Sequence, residues 1–326
     1  MTRISLSLAA VLSTLAAMEG IVRLTGAAPA FIPLETNAAL LRFRPSPDPA
    51  LKYVPVPNAF DHNEQGLRSP RRPLKKPDGV FRISVLGDSI AYGTCNDKEY
   101  LPAQKTFPQL LEDRLNARSF KGIRRVEVLN FSVPGYDTRQ EVAFFKVRGK
   151  NAQTDLALLA YCLNDMFDAS AQLEDFQISS AHARSAVFLR AVVARSALAR
   201  WAWAKTALSA PANETSDRVR EGFSQLGALG RSEHFKTLVA VFPFFEEYLS
   251  ASWPEETRDA LHKAAQAGFE TLDLRPVLEE KSGGDLKTLQ GRCDNEHLDE
   301  RGHRAAAEAL EAFLLERSAL GKALIK

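Results

Sequence analysis

From residue 80 onward the chain alternates short apolar runs with amphipathic stretches, and that alternation leaves few folds open. FRISVLG (81–87), VEVLNFS (126–132), DLALLAY (155–161), KTLVAVF (236–242) and GFETLDL (268–274) are of strand length and mostly bounded by polar or turn residues. Between them, 107–119, 138–150, 256–268 and 299–320 have helical spacing of their apolar residues. Buried strands separated by helices predict a parallel sheet covered on both faces, hence a doubly wound α/β sandwich. Ligands meet such sheets at the carboxyl ends of the strands, so the residues after each run are the ones to read for function. Composition narrows the class further. With 326 residues, 45% hydrophobic and 25% charged, the chain is neither a disordered tail nor a polytopic membrane protein. Lys+Arg 42 against Asp+Glu 40 gives no global reason to bind nucleic acid. The cysteines, Cys95, Cys162 and Cys293, include no CxxC pair, which excludes a zinc ribbon or a disulfide-built miniprotein.

Two segments precede the alternating region. Residues 4–18 carry no charge, with Arg3 before them and Glu19 and Arg23 after, the pattern of an export signal. The run is short for a span of about 20 residues. It extends through Ile21, Val22 and Leu24 if Glu19 and Arg23, spaced i,i+4, pair with each other. Small residues at Ala28 and Ala30 also suit a signal peptidase. The expectation is an exported chain, anchored or cleaved, rather than a buried N-terminal helix. Residues 31–79 are proline-rich and predict an extended, turn-rich segment. Within it, 51–58 suits a short edge strand. RSPRRPLKKPDG (68–79), with five positive charges, reads as a solvated linker before it reads as a contact for an anionic surface. The expected organisation is 1–30 signal anchor or signal peptide, 31–79 proline-rich extended segment, and 80–326 α/β domain with a helical insertion at about 165–235. That insertion carries a basic helical pattern (182–208) with Trp201 and Trp203, read as an extra packed helix with a lid or membrane-resting surface as the alternatives.

The strand ends hold the chemistry. After the first comes GDSIAYG, which places Ser89 on a strand-to-helix turn; no dinucleotide or P-loop signature is present. After the second comes NFSVPGYDT with Gly135, after the third CLNDM with Asn164 and Asp165, and before the last helix CDNEHLDERGH with Asp294 and His297. Taken alone, this turn reads first as a plain helix cap, which Ser and Asp supply routinely. Together the blocks supply acyl transfer: a serine nucleophile, a histidine to take its proton and return it to the leaving alcohol, and an aspartate to orient the imidazole. The Ser89 N–H, the Gly135 N–H and the Asn164 amide are three donors for an oxyanion.

These four blocks in this order resemble the SGNH (GDSL-type) hydrolase family of serine esterases and acyltransferases, over about residues 80–317. The resemblance implies a flavodoxin-like three-layer α/β/α sandwich with a five-stranded parallel sheet, preceded here by the N-terminal apolar helix and the proline-rich extension. It implies Ser89 as nucleophile, Asp294 and His297 as the rest of the triad, and Ser89, Gly135 and Asn164 as the oxyanion hole. E-x-x-x-R (19–23) and NEQGLR (63–68) are similar to bacterial membrane-anchored members. Two positions depart from the family pattern: Ile90 follows GDS where leucine is usual, and Cys162 stands where G-x-N-D has glycine. Cys162 reads as packing rather than as a nucleophile.

Other residues have plainer readings. Asp299 suits the N-cap of the last helix, and His303 is a packed or capping residue. His62, His182, His234 and His262 lack metal-ligand spacing and read as surface or scaffold. A disulfide between Cys95 and Cys293 and its absence remain equal alternatives. Asn213-Glu214-Thr215 matches a glycosylation acceptor by pattern alone. The expected function is a serine esterase or O-acyltransferase acting on O-acetyl groups of an envelope carbohydrate. The expected partners are an ester of a small molecule or polysaccharide and, through the N-terminal helix, the membrane. The expected location is the periplasm or outside the cell, and no metal or organic cofactor is implied. A lipid or thioester acyl hydrolase, and a non-catalytic binding component of an envelope complex, are the alternatives. The sequence does not bear on oligomeric state.

Overall fold

The structure is a computed structural model that describes residues 3–28, 41–48, 50, 51, 53–96, 99–166, 192, 195–207, 215–243, 253–291 and 297–318. Its elements in chain order begin with α1 (Arg3–Thr25), β1 (Phe43–Pro45), β2 (Tyr53–Pro55), β3 (Val80–Gly87) and α2 (Ser89–Tyr92). Then come β4 (Thr94–Asn96), β5 (Glu99–Tyr100), α3 (Phe107–Asn116), β6 (Arg125–Asn130), α4 (Thr138–Arg148) and β7 (Leu156–Tyr161). The C-terminal part adds α5 (Ala197–Ala207), α6 (Thr215–Glu233), β8 (Lys236–Val241), α7 (Trp253–Gln266), β9 (Glu270–Asp273), α8 (Arg275–Lys281) and α9 (Glu300–Ala312). All five apolar runs are strands of one sheet, in the order β6-β3-β7-β8-β9 and parallel throughout.

The pleat sends alternate residues to opposite faces, which is why the strands are apolar along nearly their whole length. In β7, Leu156, Leu158 and Ala160 enter one core with α3, α8 and α9, whereas Ala157, Leu159 and Tyr161 enter the other with α4, α6 and α7. Leu111, Leu278 and Leu310 cover the first face, and Phe144, Phe223 and Ala264 the second. This is the three-layer sandwich the sequence predicts.

The proline-rich segment is not a linker. β1 and β2 pair with each other rather than with the main sheet. Phe43, Leu51, Tyr53 and Leu67 are buried in the same core as Tyr92, Phe131 and Tyr136. Part of the basic run is likewise absorbed, which corrects its reading as a solvated stretch at Arg68, Arg72 and Lys76, whereas Arg71 and Lys75 are exposed. Lys76 bonds Asp155 at 2.5 Å, and Arg72 reaches both Glu112 and Glu127. Arg82 of β3 joins them: its guanidinium and the Glu127 carboxylate are fully buried, 2.6 Å apart, and it also donates to the carbonyls of Pro73, Leu74 and Ala152. Burial opposes ionisation of Glu127, but bonds from Arg82 and Arg125 outweigh it and hold the carboxyl below its ordinary range. These cations are therefore counter-charges for acids on β6, on α3 and just before β7.

Helix α1 forms over the expected apolar run. No helix among the described residues is long and apolar enough to cross a membrane, so α1 does not supply the expected span. Hydroxyls interrupt its apolar stretch, Thr14 Oγ1 donating back to the Ala10 carbonyl at 2.9 Å. Glu19 and Arg23 pair as expected at 2.7 Å, and they also serve a second helix. The Glu19 carboxylate accepts from the N–H groups of Ala197 and Leu198 and from Ser196 Oγ, capping α5, while Arg23 donates to the Arg195 carbonyl. Those two backbone bonds, Leu198 first, hold Glu19 well below the usual carboxylate range. The insertion is thus tied to the N-terminal helix through E-x-x-x-R; most of 165–196, including His182, lies outside the described residues.

The Arg82–Glu127 pair generates a prediction. Glu127→Leu leaves a guanidinium buried without its counter-charge and lowers unfolding free energy by about 3–5 kcal/mol, read by denaturant titration. Adding Arg82→Met restores part of that loss.

Candidate active site

Strand β3 ends in a sharp turn that only glycine permits. A Cβ on Gly87 would lie 2.8 Å from Ala91 Cβ and 3.2 Å from Ala160 Cβ. The fully buried Asp88 then caps α2, its Oδ1 accepting from Ile90 N at 3.0 Å. Ser89, 8% exposed, follows at the carboxyl edge of the sheet, its hydroxyl 3.3 Å from Asp88 Oδ2. The far end of this short helix is clamped from two sides. Asn130 Nδ2 donates to the Ala91 carbonyl at 3.0 Å, and Arg68 donates to the carbonyls of Tyr92 and Leu101. NEQGLR is thereby explained: Asn63 Oδ1 accepts from the N–H groups of Gln65 and Leu67, and the resulting turn delivers Arg68 to α2.

The second block is carried alongside by the sheet ladder. Phe131 N donates to Val85 O at 2.8 Å and Val133 N to Gly87 O at 3.0 Å, so the chain after β6 stays beside β3 up to the turn that holds Ser89. Gly135 follows with φ of 75°, the left-handed region that glycine enters without strain. The turn is held by Tyr53 Oη, which donates to the Pro134 carbonyl at 2.6 Å, and by Asn130 Oδ1, which accepts from Ser132 N and Oγ. Asp137 and Gln140 then form a reciprocal capping box that starts α4.

The third block is delivered the same way. Gly87 pairs with Ala160 in β7, so Cys162 and the 3₁₀ turn Leu163–Met166 reach the same edge. The turn contains Asn164, whose side chain lies outside the described residues. Asp165 N donates to Cys162 O at 3.1 Å, and Asp165 Oδ2 accepts from Thr138 Oγ1 at 3.0 Å, fastening the turn to α4. Cys162 is fully buried in the core, which agrees with its reading as packing.

The fourth block is described in part. Asp294 and Cys293 lie outside the described residues. His297 is 8% exposed, and its carbonyl accepts from Gly291 N at 2.8 Å. The next residue, Leu298, packs in the same core as Ile90 and Ala91, the residues that follow Ser89. Asp299 caps α9 through Arg301 N and Gly302 N, as read from the sequence. His303 is a packed residue: Nδ1 accepts from Phe107 N at 3.1 Å and the ring stacks on Phe107. Burial first, then the nearby charges of Arg68 and His297, push its pKa down to about 3. His62 is a scaffold residue, its Nε2 paired with Tyr92 Oη at 2.7 Å, while His234 and His262 are exposed. Cys95 is disulfide-bonded; its expected partner, Cys293, is among the residues not described. No group of three or more His, Cys, Asp or Glu suited to a metal ion occurs among the described residues.

Sequence reasoning did not single out Asn130, Arg68 as a clamp, or the Thr138–Asp165 bond. An asparagine ending a buried strand was a signal for the first; the others join residues far apart in the chain. His303 generates a prediction. Its folded-state pKa lies below the ordinary 6.5, so between those values the unfolded chain binds the extra proton and stability falls as pH falls. Relative to His303→Gln, the wild type should lose about 1.4 kcal/mol per pH unit from pH 6.5 down toward 3, measured by denaturant unfolding at stepped pH.

The chain was also compared with known proteins. No curated protein matches it. Among solved structures it resembles LAE5, an alpha/beta hydrolase enzyme from the metagenome of Lake Arreo, Spain, at 15% identity and TM-score 0.47, over 71% of this chain and 94% of that one. It also resembles a carbohydrate acetylesterase family member from Sinorhizobium meliloti, at 14% identity and TM-score 0.43, over 72% and 97%. A third is a catalytic mutant of Axe2, an acetylxylan esterase from Geobacillus stearothermophilus, at 12% identity and TM-score 0.46, over 71% and 92%. A family model for GDSL-like lipases and acylhydrolases matches residues 85–305, from inside β3 to inside α9. That match takes in all four sequence blocks and more than half of the chain, so the protein belongs to the GDSL-like lipase/acylhydrolase family of ester-cleaving hydrolases.

Proposed function

We propose that Ser89 is the nucleophile of an ester-cleaving acyl transfer, with His297 as its base and Asp294 orienting the imidazole. His297 takes the hydroxyl proton as Oγ attacks the ester carbonyl carbon, and returns it to the departing alcohol oxygen. The N–H groups of Ser89 and Gly135 and the Asn164 amide receive the oxyanion; one such donor is worth roughly 3 kcal/mol in the transition state. Water, or a second hydroxyl in a transfer reaction, then releases the acyl group and regenerates Ser89. The observation that carries this reading is the register of β3 with its two neighbours. The Val133 N to Gly87 O bond and the Gly87–Ala160 pairing bring the second and third blocks to the turn that holds Ser89.

The proposed substrate is an O-acyl group, in the first place O-acetyl, on an envelope carbohydrate. The disulfide at Cys95 supports an oxidising compartment, and so an exported chain in the periplasm or beyond it. Contact with the membrane is proposed along α1, where Leu12, Leu15, Ile21 and Leu24 are exposed.

The test is turnover of an activated acetyl ester beside an activated octanoyl ester, with Ser89→Ala and His297→Ala. Acetyl turnover that falls about 10⁴-fold or more in both variants is the expected result. Preference for octanoyl moves the substrate to lipids. No turnover, together with no labelling of Ser89 by a serine-reactive phosphonate, overturns the catalytic reading in favour of a binding component.

A further inference from the structure

Helix α4 buries a carboxyl group that the reaction does not use. Glu141 is fully buried, and neither of its oxygens has a hydrogen-bond partner. Thr138, one turn earlier on the same helix, donates to Asp165 Oδ2, while Asp165 Oδ1 is also without a partner and the residue is 2% exposed. Three carboxyl oxygens are therefore buried at the base of the turn that carries Asn164, with no donor among the described residues. An ionised carboxylate in that position loses its hydration and gains nothing in return.

The charges around the pair have the wrong sign to rescue it. Asp88 reaches it from the nucleophile turn and Asp137 from the N-cap of α4, and the buried Tyr161 phenol lies on the strand side of Asp165. From α6, Arg218 lies 3.5 Å from Asp137, and Arg139 of α4 lies 3.8 Å from Asp137 and 3.4 Å from Glu221, so these cations stand on the outer acids. The Gln140 N–H is likewise spent on the Asp137 cap. Burial first, with the neighbouring acids adding to it, drives both Glu141 and Asp165 well above the carboxylate range.

We infer that Glu141 retains its proton through the pH range of catalysis, and that this neutral carboxyl, one turn along α4 from the Thr138–Asp165 bond, keeps the 163–166 turn bearing Asn164 in place against α4. Glu141 acts through the turn and is a positioning residue, not one that touches the substrate. The catalytic consequence rests on the proposed role of Asn164 in the oxyanion hole; the retained proton does not. Loss of the proton places a charge in a dry site, and the turn opens to hydrate it. A misplacement of about 1 Å at a catalytic group costs roughly 10²-fold in rate.

The experiment uses the full chain and has two arms. In the first, infrared titration of the wild type is compared with Glu141→Gln. A protonated-carboxyl carbonyl band is expected in the wild type at pH 8 and is lost in the variant. Its absence from the wild type overturns the inference whether or not the protein turns over esters. In the second arm, kcat and KM for an activated acetyl ester are followed across pH. Glu141→Leu should lose roughly ten- to a hundredfold in kcat with KM little changed. Glu141→Gln, which keeps a donor and cannot ionise, should recover most of that loss and move the alkaline limb upward. Equal losses in both variants, or an alkaline limb unmoved by Glu141→Gln, overturn the positioning role. A wild type that binds the proton but has no turnover refutes the proposed function and leaves the proton assignment standing.

Discussion

Strand β3 is the fixed point of this molecule. Parallel ladders to β6 on one side and β7 on the other hold it, and both faces are sealed by apolar layers. A strand held in this way cannot slip by one residue without turning its core side chains to the wrong face. Its last residue, Gly87, therefore has one position, and two other chain segments are fastened to it directly. The second and third blocks are continuations of strands whose register β3 sets.

Charge is handled in two contrasting ways around that frame. At the amino-terminal side of the sheet, Arg82, Arg72 and Lys76 meet Glu127, Glu112 and Asp155 in direct pairs, and the buried Glu127 stays ionised because donors surround it. At the carboxyl-terminal side, Asp88 is satisfied by the turn into α2, whereas Glu141 and Asp165 are crowded by acids and short of donors. The first arrangement stabilises the fold through paired charges. The second is tolerable only while a carboxyl stays neutral, which is the physical ground for giving Glu141 a role at the site.

The N-terminal portion changes meaning once folded. Its prolines remove backbone donors, and the segment 41–79 compensates with side-chain bonds: Asn63 organises a turn, Tyr53 donates to the Pro134 carbonyl, and Arg68 grips α2. Residues that read as a linker therefore brace the turn that holds Ser89. E-x-x-x-R likewise proves to be a helix cap supplied from a distant element, with Glu19 providing the acceptors that the first turn of α5 lacks.

The layered sheet, its five strands and the helices between them were legible in the sequence, because burial on both faces forces an unbroken apolar run and the helix period is local. The residues at the strand ends, Ser89, Gly135 and Asn164, were legible for the same reason: a turn after a buried strand in a doubly wound sheet has a known edge. The cap at Asp299 and the packed Cys162 also follow from short-range chemistry. Pairing across the chain was not legible. Nothing near Arg72 or Lys76 announces acids some forty to eighty residues away, and nothing in α4 announces that Thr138 meets Asp165 or that Glu141 goes without a partner. Sequence by itself determined which segments are strands and helices and which residue types stand at the strand ends, since backbone preference and side-chain period act over a few residues. Tertiary structure alone decided which charges meet, which stay unmet and what the proline-rich segment braces, since those depend on distances that exist only after the chain has closed on itself.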